Sequence, residues 1–224
     1  MNYLNLSAYT SIGLQFLTGL IEAEGLLVQI PSDERILQDI LGIELIVQSI
    51  EFVFYIYLVS LIVSKQVTSS ITSHRYLDWF ITTPTMLISF VLFFKYLQNP
   101  TRGIRWKASF QEEFPTIWKL VLANFAMLAF GFLAEIGWIP NALGVTLGFL
   151  PFAYIFKILY ANYAKSTEIG RRLFYFSFLI WGLYGVAAVL PFSQKNTMYN
   201  ILDLFSKNAY GLFLYYFIKQ RQIT

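Results

Sequence analysis

Asn200-Ile201-Leu202-Asp203-Leu204-Phe205-Ser206-Lys207-Asn208-Ala209-Tyr210-Gly211 puts a lysine near the middle of the last apolar span of the chain. A charged amine at mid-bilayer is costly unless it is paired or chemically used, so an intramembrane lysine marks a functional position. Asp203 stands four residues earlier, one turn away on the same face, where the two side chains can satisfy each other. With Asn200 the spacing is i, i+3, i+7, which places all three on one stripe. The third span holds a matching set in Arg75-Tyr76-Leu77-Asp78-Trp79-Phe80-Ile81-Thr82-Thr83-Pro84, where Arg75 and Asp78 are a turn apart and Thr82 is a turn further along. An amine, two carboxylates and a guanidinium can therefore meet in one compact cluster. The alternative is a buried ion network that only orders the bundle.

The surroundings of these residues read as lipid-embedded. Of 224 residues, 57% are hydrophobic and 13% charged, where soluble domains carry about a quarter charged residues, and the mean hydropathy is +0.57. Seven apolar segments run roughly over residues 4 to 30, 36 to 64, 75 to 97, 115 to 136, 140 to 162, 172 to 191 and 199 to 218. The expectation is an all-α membrane protein, a seven-transmembrane helix bundle forming a single domain over residues 1–224, with short loops and sequential helices as neighbours. The first residues are polar and uncharged and run straight into a span, so no cleavable signal peptide is expected.

Basic residues set the expected orientation. With the N-terminus extracellular and the C-terminus cytoplasmic, Arg35, Lys95, Arg102, Arg105, Lys107, Lys119, Lys157, Lys165, Arg171, Arg172, Lys219 and Arg221 fall on the cytoplasmic side, and Lys65 and Lys195 outside. The net charge of +3 then reflects topology, and no nucleic-acid partner is needed. The chain has no cysteine, so disulfides and thiolate metal sites are excluded. No phosphate loop, nucleophile elbow or metal-ligand cluster supports an enzyme.

The segments from Arg75 to Pro84 and from Asp203 to Gly211 resemble the microbial (type 1) rhodopsins, and the likeness extends over most of the chain. The resemblance implies all-trans retinal held as a protonated Schiff base on Lys207, with Asp78 and Asp203 as counter-ions. Two carboxylates suit a protonated imine, and Arg75 keeps them ionised. Asp78 is then the implied proton acceptor after light-driven isomerisation. Trp181 and Tyr184 match an aromatic that packs on retinal and a tyrosine bonded to the seventh-helix aspartate. Asn124, Met127 and Gly131 match three pocket positions and Met86 the colour-tuning position, and Trp79, Thr82, Thr83 and Phe152 complete the implied pocket. Taken singly, Trp79, Trp181 and Met127 also read as plain core or lipid-facing residues. Gly185 and Ala188 depart from the family, standing where a proline and a second tryptophan are common.

Transport mode turns on residues outside this cluster. Ser89 occupies the position, three turns beyond Asp78, where bacterial outward proton pumps carry a donor carboxylate, and a hydroxyl is a poor donor at neutral pH. The loop expected over 191–200 has no Asp or Glu to act as a release group. Glu44, Gln48 and Glu51, spaced i, i+4, i+7, form a polar stripe on the otherwise apolar second span, and each carboxylate should face the bundle interior. Carboxylates so placed can draw cations along a hydrated path, with Ser11, Asn200 and Asn208 lining the same route between the first, second and seventh helices. This stripe resembles the channelrhodopsins, and the short-looped form resembles the group 1 viral rhodopsins. That resemblance implies a light-gated cation channel in the lipid bilayer, passing monovalent cations or protons, and compatible with a homo-oligomer. The alternatives are a light-driven outward proton pump, a photosensor acting through a partner, or glutamates that only bond neighbouring helices. Of Glu22 and Glu24, two residues apart, at most one should face a pore. His74 reads as a solvated interfacial residue.

Overall fold

The computed structural model describes residues 3–68 and 70–223, and the described residues form helices and turns with no strand. The apolar runs become α1 (Tyr3–Gly25), α2 (Ile36–Val63), α3 (Ile71–Gln98), α4 (Trp106–Glu135), α5 (Asn141–Asn162) and α6 (Glu168–Ala188). The last span consists of α7 (Phe192–Asp203) and α8 (Ala209–Lys219), joined by one turn of π-helix over Leu204–Asn208. Seven rods result among the described residues, as expected.

Helix ends follow local chemistry. Pro140 and Pro191 stand just ahead of α5 and α7, where a residue with no N–H and a fixed φ starts a helix at little cost. The Thr167 hydroxyl caps α6 by accepting the Gly170 N–H at 3.0 Å. At the end of α4, Gly137 adopts φ +78°, which lets Trp138 N–H reach the Leu133 carbonyl at 2.9 Å and Gly137 N–H the Ala134 carbonyl at 3.1 Å.

Several boundaries differ from the expected ones. Helices α3, α4, α6 and α7 begin before their apolar runs, because polar first turns stay helical, and α1 stops at Gly25. The stretch 191–200, expected as a loop, is mostly the start of α7. Lys195, expected on the extracellular side, is buried at the N-face end in an ion pair with Glu135 at 2.7 Å.

Consecutive helices pack side by side, and α1 closes the ring against α7. The ring is apolar outside and charged inside. Phe16, Leu17, Val53, Leu77, Leu150 and Leu179 are exposed, while Glu22, Glu44, Glu51, Arg75, Asp78, Asp203 and Lys207 are all buried. A hydrocarbon exterior is the solvent that suits such a distribution. Ser32–Val63, Ile71–Gln98, Trp106–Glu135 and Asn141–Asn162 are long and apolar enough to cross a membrane on length and composition alone.

The two ends of the bundle differ in charge. Arg35, Lys95, Arg102, Arg105, Lys165, Arg171, Arg172, Lys219 and Arg221 gather at the end bearing the C-terminus, here the C-face; the end bearing the N-terminus is the N-face. Toward the C-face the interior is filled by Leu37, Leu41, Phe90, Phe93, Phe94 and Phe217.

Candidate functional site

Lys207 lies in the π-turn, and this changes what the last span presents inward. A π-turn inserts an extra residue into the helical repeat, and Ser206, Lys207 and Asn208 are consecutively buried. The sequence reading assumed an unbroken helix and missed this. Lys207 Nζ donates to Asp78 Oδ2 at 2.9 Å and lies 3.3 Å from Glu51 Oε1 and 3.7 Å from Asp203 Oδ1. Three carboxylates therefore surround the amine where two were expected. The third, Glu51, was expected only along the ion path.

Arg75 closes the cluster toward the N-face. Its Nη1 donates to Asp203 Oδ2 at 3.2 Å and its Nε to Asn196 Oδ1 at 3.0 Å, while Nη2 donates to Asn200 Oδ1. The guanidinium also lies 5.1 Å from the Phe54 ring and 5.7 Å from the rings of Tyr55 and Tyr199, within cation–π range. Its direct ion pair is with Asp203, not with Asp78 one turn away. Asp203 further accepts hydrogen bonds from Tyr184 at 2.7 Å and from Tyr55 at 2.9 Å. Tyr184 thus bonds the seventh-helix aspartate.

Tyr55 and Asn196 were missed in the sequence. Their signal was there: Tyr55 continues the Glu44, Gln48, Glu51 stripe by one turn, and Asn196 precedes Asn200 by one turn.

Beside Lys207 is a cavity walled by Tyr76, Trp79, Thr83, Met86, Met127, Leu128, Gly131, Gly144, Val145, Gly148, Phe149, Phe152, Trp181, Tyr184, Gly185, Ala188, Tyr199 and Ser206. Lys207 is the one lysine among these residues. Most of the expected pocket residues therefore stand on the wall. Thr82 and Asn124 do not: Thr82 donates back to the Asp78 carbonyl at 2.9 Å, and Asn124 stands behind Thr83, donating to its hydroxyl at 2.8 Å. The wall at Gly185 is closed by Phe149, whose ring would lie 2.7 Å from any Cβ at 185. Gly131 is pressed by the Tyr76 hydroxyl in the same way, at 2.7 Å. An amine opening onto an aromatic, apolar slot fits a long hydrocarbon aldehyde that condenses with lysine.

On the other side of Lys207 runs a column of polar side chains between α1, α2 and the last span. Ser11 donates to the Asn200 carbonyl at 3.1 Å, Gln48 to Thr18 at 2.7 Å and to the Gln15 carbonyl at 2.7 Å, and Asn208 to Thr18 at 2.6 Å. Ser11, Glu44, Gln48, Glu51, Asn200 and Asn208 are all buried, and all face the same seam. The carboxylate oxygens of Glu22 and Glu44 and both amide atoms of Gln15 have no hydrogen-bond partner, and those of Glu51 have only the ion pair with Lys207 at 3.3 Å. Buried polar atoms without partners are uncommon in folded proteins, and a row of them suits a route for water or ions. Ser89, in place of a donor carboxylate, is fully buried and shares a hydrogen bond with the Tyr210 hydroxyl at 3.0 Å. Glu24 points outward to Lys219 at 3.2 Å, whereas Glu22 is inside. His74 is half-buried with its ring against Tyr57.

Comparison with known proteins agrees with this geometry. The family model described as bacteriorhodopsin-like protein matches residues 7–221. The green-light absorbing proteorhodopsin of Gamma-proteobacterium EBAC31A08 is 24% identical over 187 residues, covering 76% of this chain and 70% of that one. Among solved structures, the viral rhodopsin OLPVRII superposes with a TM-score of 0.86 at 28% identity, over 97% of this chain and 98% of that chain. A blue light-absorbing proteorhodopsin from Med12 superposes with a TM-score of 0.78 at 20% identity, over 98% and 99%. The chain belongs to the bacteriorhodopsin-like family of microbial rhodopsins, multi-pass integral membrane proteins that carry retinal as a Schiff base on a lysine.

Proposed function

We propose that residues 1–224 act as one retinal-binding domain, a light-gated cation channel conducting monovalent cations or protons between α1, α2 and the last span. Lys207 is the attachment point, with Asp78, Asp203 and Arg75 as its charged surroundings and the cavity wall from Trp79 to Trp181 as the chromophore's walls. The gathering of basic residues at the C-face supports an extracellular N-terminus and a cytoplasmic C-terminus. The observation that carries the reading is Glu51. It lies 3.3 Å from Lys207 Nζ and heads the column that continues through Gln48 and Glu44. One carboxylate is therefore shared by the chromophore site and the path.

Retinal, when bound, supplies light absorption and an isomerisation that displaces charge at the amine. The protein supplies the rest. Asp78, 2.9 Å from Nζ, is placed to accept the amine's proton. Asp203 accepts hydrogen bonds from Arg75 and from two tyrosine hydroxyls, which fix its carboxylate on the N-face side of the amine. Three carboxylates face two cations, so one is left without a balancing charge, and a buried excess charge is costly. Glu51 lies 3.3 Å from the amine without completing a hydrogen bond, so it is the carboxylate of the three least tied to the cluster. Opening then requires Arg75 to release Asn200 and Asp203 at the N-face, and the Leu41 and Phe93 layer to part at the C-face.

Photocurrent against voltage in a clamped cell tests the reading. A current that reverses with the cation gradient is expected, and Glu51→Gln and Glu44→Gln should change its size or reversal potential, with the dark absorption band unmoved in Glu44→Gln and moved less in Glu51→Gln than in Asp78→Asn. Asp78→Asn, which removes the negative charge nearest the amine, should instead shift that band to longer wavelength; an unmoved band would count against its role as counter-ion. The second reading is a light-driven outward proton pump. The contact between Asp78 and Lys207 favours it, and light-driven pumps share this fold. A current of fixed sign against the gradient, insensitive to both glutamate substitutions and abolished by Asp78→Asn, would establish the pump. Absence of any current would leave a photosensor acting through a partner.

A further inference from the structure

Glu22 is a buried carboxylate that the cluster around Lys207 does not use. It continues the inner stripe of α1 through Ser11, Gln15 and Thr18, is fully buried, and neither of its oxygens has a hydrogen-bond partner. Its carboxylate rests on Gly211, where a Cβ would collide with it, so α8 offers a notch where any other residue would put a side chain. Gln48 of α2 bonds Thr18 of α1 at 2.7 Å, and because the two helices run in opposite directions Glu44, one turn before Gln48, comes to the depth of Glu22, one turn after Thr18; the oxygens of Glu44 are also without hydrogen-bond partners.

Further oxygens lie one turn above this pair. Gln48 and Asn208 both donate through their amide nitrogens to Thr18 Oγ1, which leaves the buried oxygens Gln48 Oε1 and Asn208 Oδ1 with nothing to accept from. A group of oxygens with no donor among them suits a hard cation or a proton. Below the pair the packing tightens: a Cβ at Gly25 would lie 2.7 Å from Leu41 Cδ2 and 2.9 Å from Tyr215 Cδ2. Two carboxylates out of water repel each other, and both persist there only if a proton or a cation joins them.

We infer that Glu22 and Glu44 form a cation station at the C-face end of the path, seated in the notch at Gly211 and immediately above the constriction of Gly25, Leu41 and Tyr215. The inference rests on the channel reading. Glu22 binds the ion that arrives from Gln48 and Asn208 and sets which ion passes the constriction. Glu24, two residues on, is paired with Lys219 at the surface and takes no part.

The test is photocurrent from the full-length pigment under sodium, potassium and proton gradients, with Glu22→Gln, Gly211→Ala and, as control, Glu24→Gln. Glu22→Gln should reduce the current several-fold and shift the relative permeability to sodium and protons, with the dark band unchanged. Gly211→Ala should do the same by displacing the carboxylate, and Glu24→Gln should match the wild type. A wild type with no gradient-reversing current overturns the channel reading and the station with it. A conducting wild type whose current depends on Glu51, but whose size and selectivity are unaltered in Glu22→Gln, overturns the station alone. Should Glu22→Gln lose its colour, Glu22→Asp decides in its place, since it keeps the charge but withdraws it by one methylene: unaltered selectivity there overturns the inference.

Discussion

Lys207→Ala is expected to give a protein with no visible absorption band and no covalent adduct after addition of all-trans retinal. Lys207 is the one lysine on the cavity wall, and its amine is held at the cavity end by Asp78, Glu51 and Asp203. Lys195, the other buried lysine, is engaged by Glu135 at the N-face. Borohydride reduction of the wild-type pigment, followed by digestion and mass analysis, should put the retinyl mass on the peptide containing Lys207. A retinyl mass on Lys195, or a coloured Lys207→Ala protein, would overturn the assignment.

Arg75→Met should produce the largest loss of stability of any single substitution away from the lysine. Arg75 is 1% exposed, and it is the cation that touches Asp203 from the N-face side. Breaking a buried ion pair by removing one partner leaves an uncompensated charge and costs about 3–5 kcal/mol. The same substitution also takes the donor from Asn196 Oδ1 and leaves Asn200 Oδ1 with the Tyr55 hydroxyl alone. Thermal bleaching of the pigment provides the measurement, with Arg172→Met as the contrast. Arg172 pairs with Glu168 at the surface, where both side chains are mostly exposed and such pairs contribute little. Equal bleaching temperatures for the two variants would show that Arg75 does not hold the cluster together.

Lys207, Asp203 and Asn200 were legible in the sequence as one stripe, and so were Glu44, Gln48 and Glu51, because the spacing of residues along a single helix is set by the helical repeat. The same rule would have added Tyr55 to the second stripe, Asn196 to the last, and Gln15 and Thr18 to a third stripe that joins Ser11 to Glu22. All are buried, so those omissions were of application and not of information. The span boundaries were legible only where apolar residues end the helix. Polar first turns, as at Trp106 and Phe192, are indistinguishable from loop by hydropathy.

What the chain determined by itself is therefore everything that depends on one helix at a time: seven apolar spans, which face of each is polar, and a lysine amid carboxylates. Only the tertiary structure decided that Glu51 meets Lys207, that Arg75 pairs with Asp203 and not with Asp78, that Asn124 stands behind Thr83, and that Glu22 fits the notch at Gly211. Each of these depends on the rotation and depth of one helix against another. The π-turn at Lys207 belongs with them, since the gain from bringing Ser206, Lys207 and Asn208 inward comes from partners on other helices. Spacing within a helix is imposed by its own backbone hydrogen bonds, whereas the register between helices is settled by side-chain packing and ion pairing summed over the whole bundle.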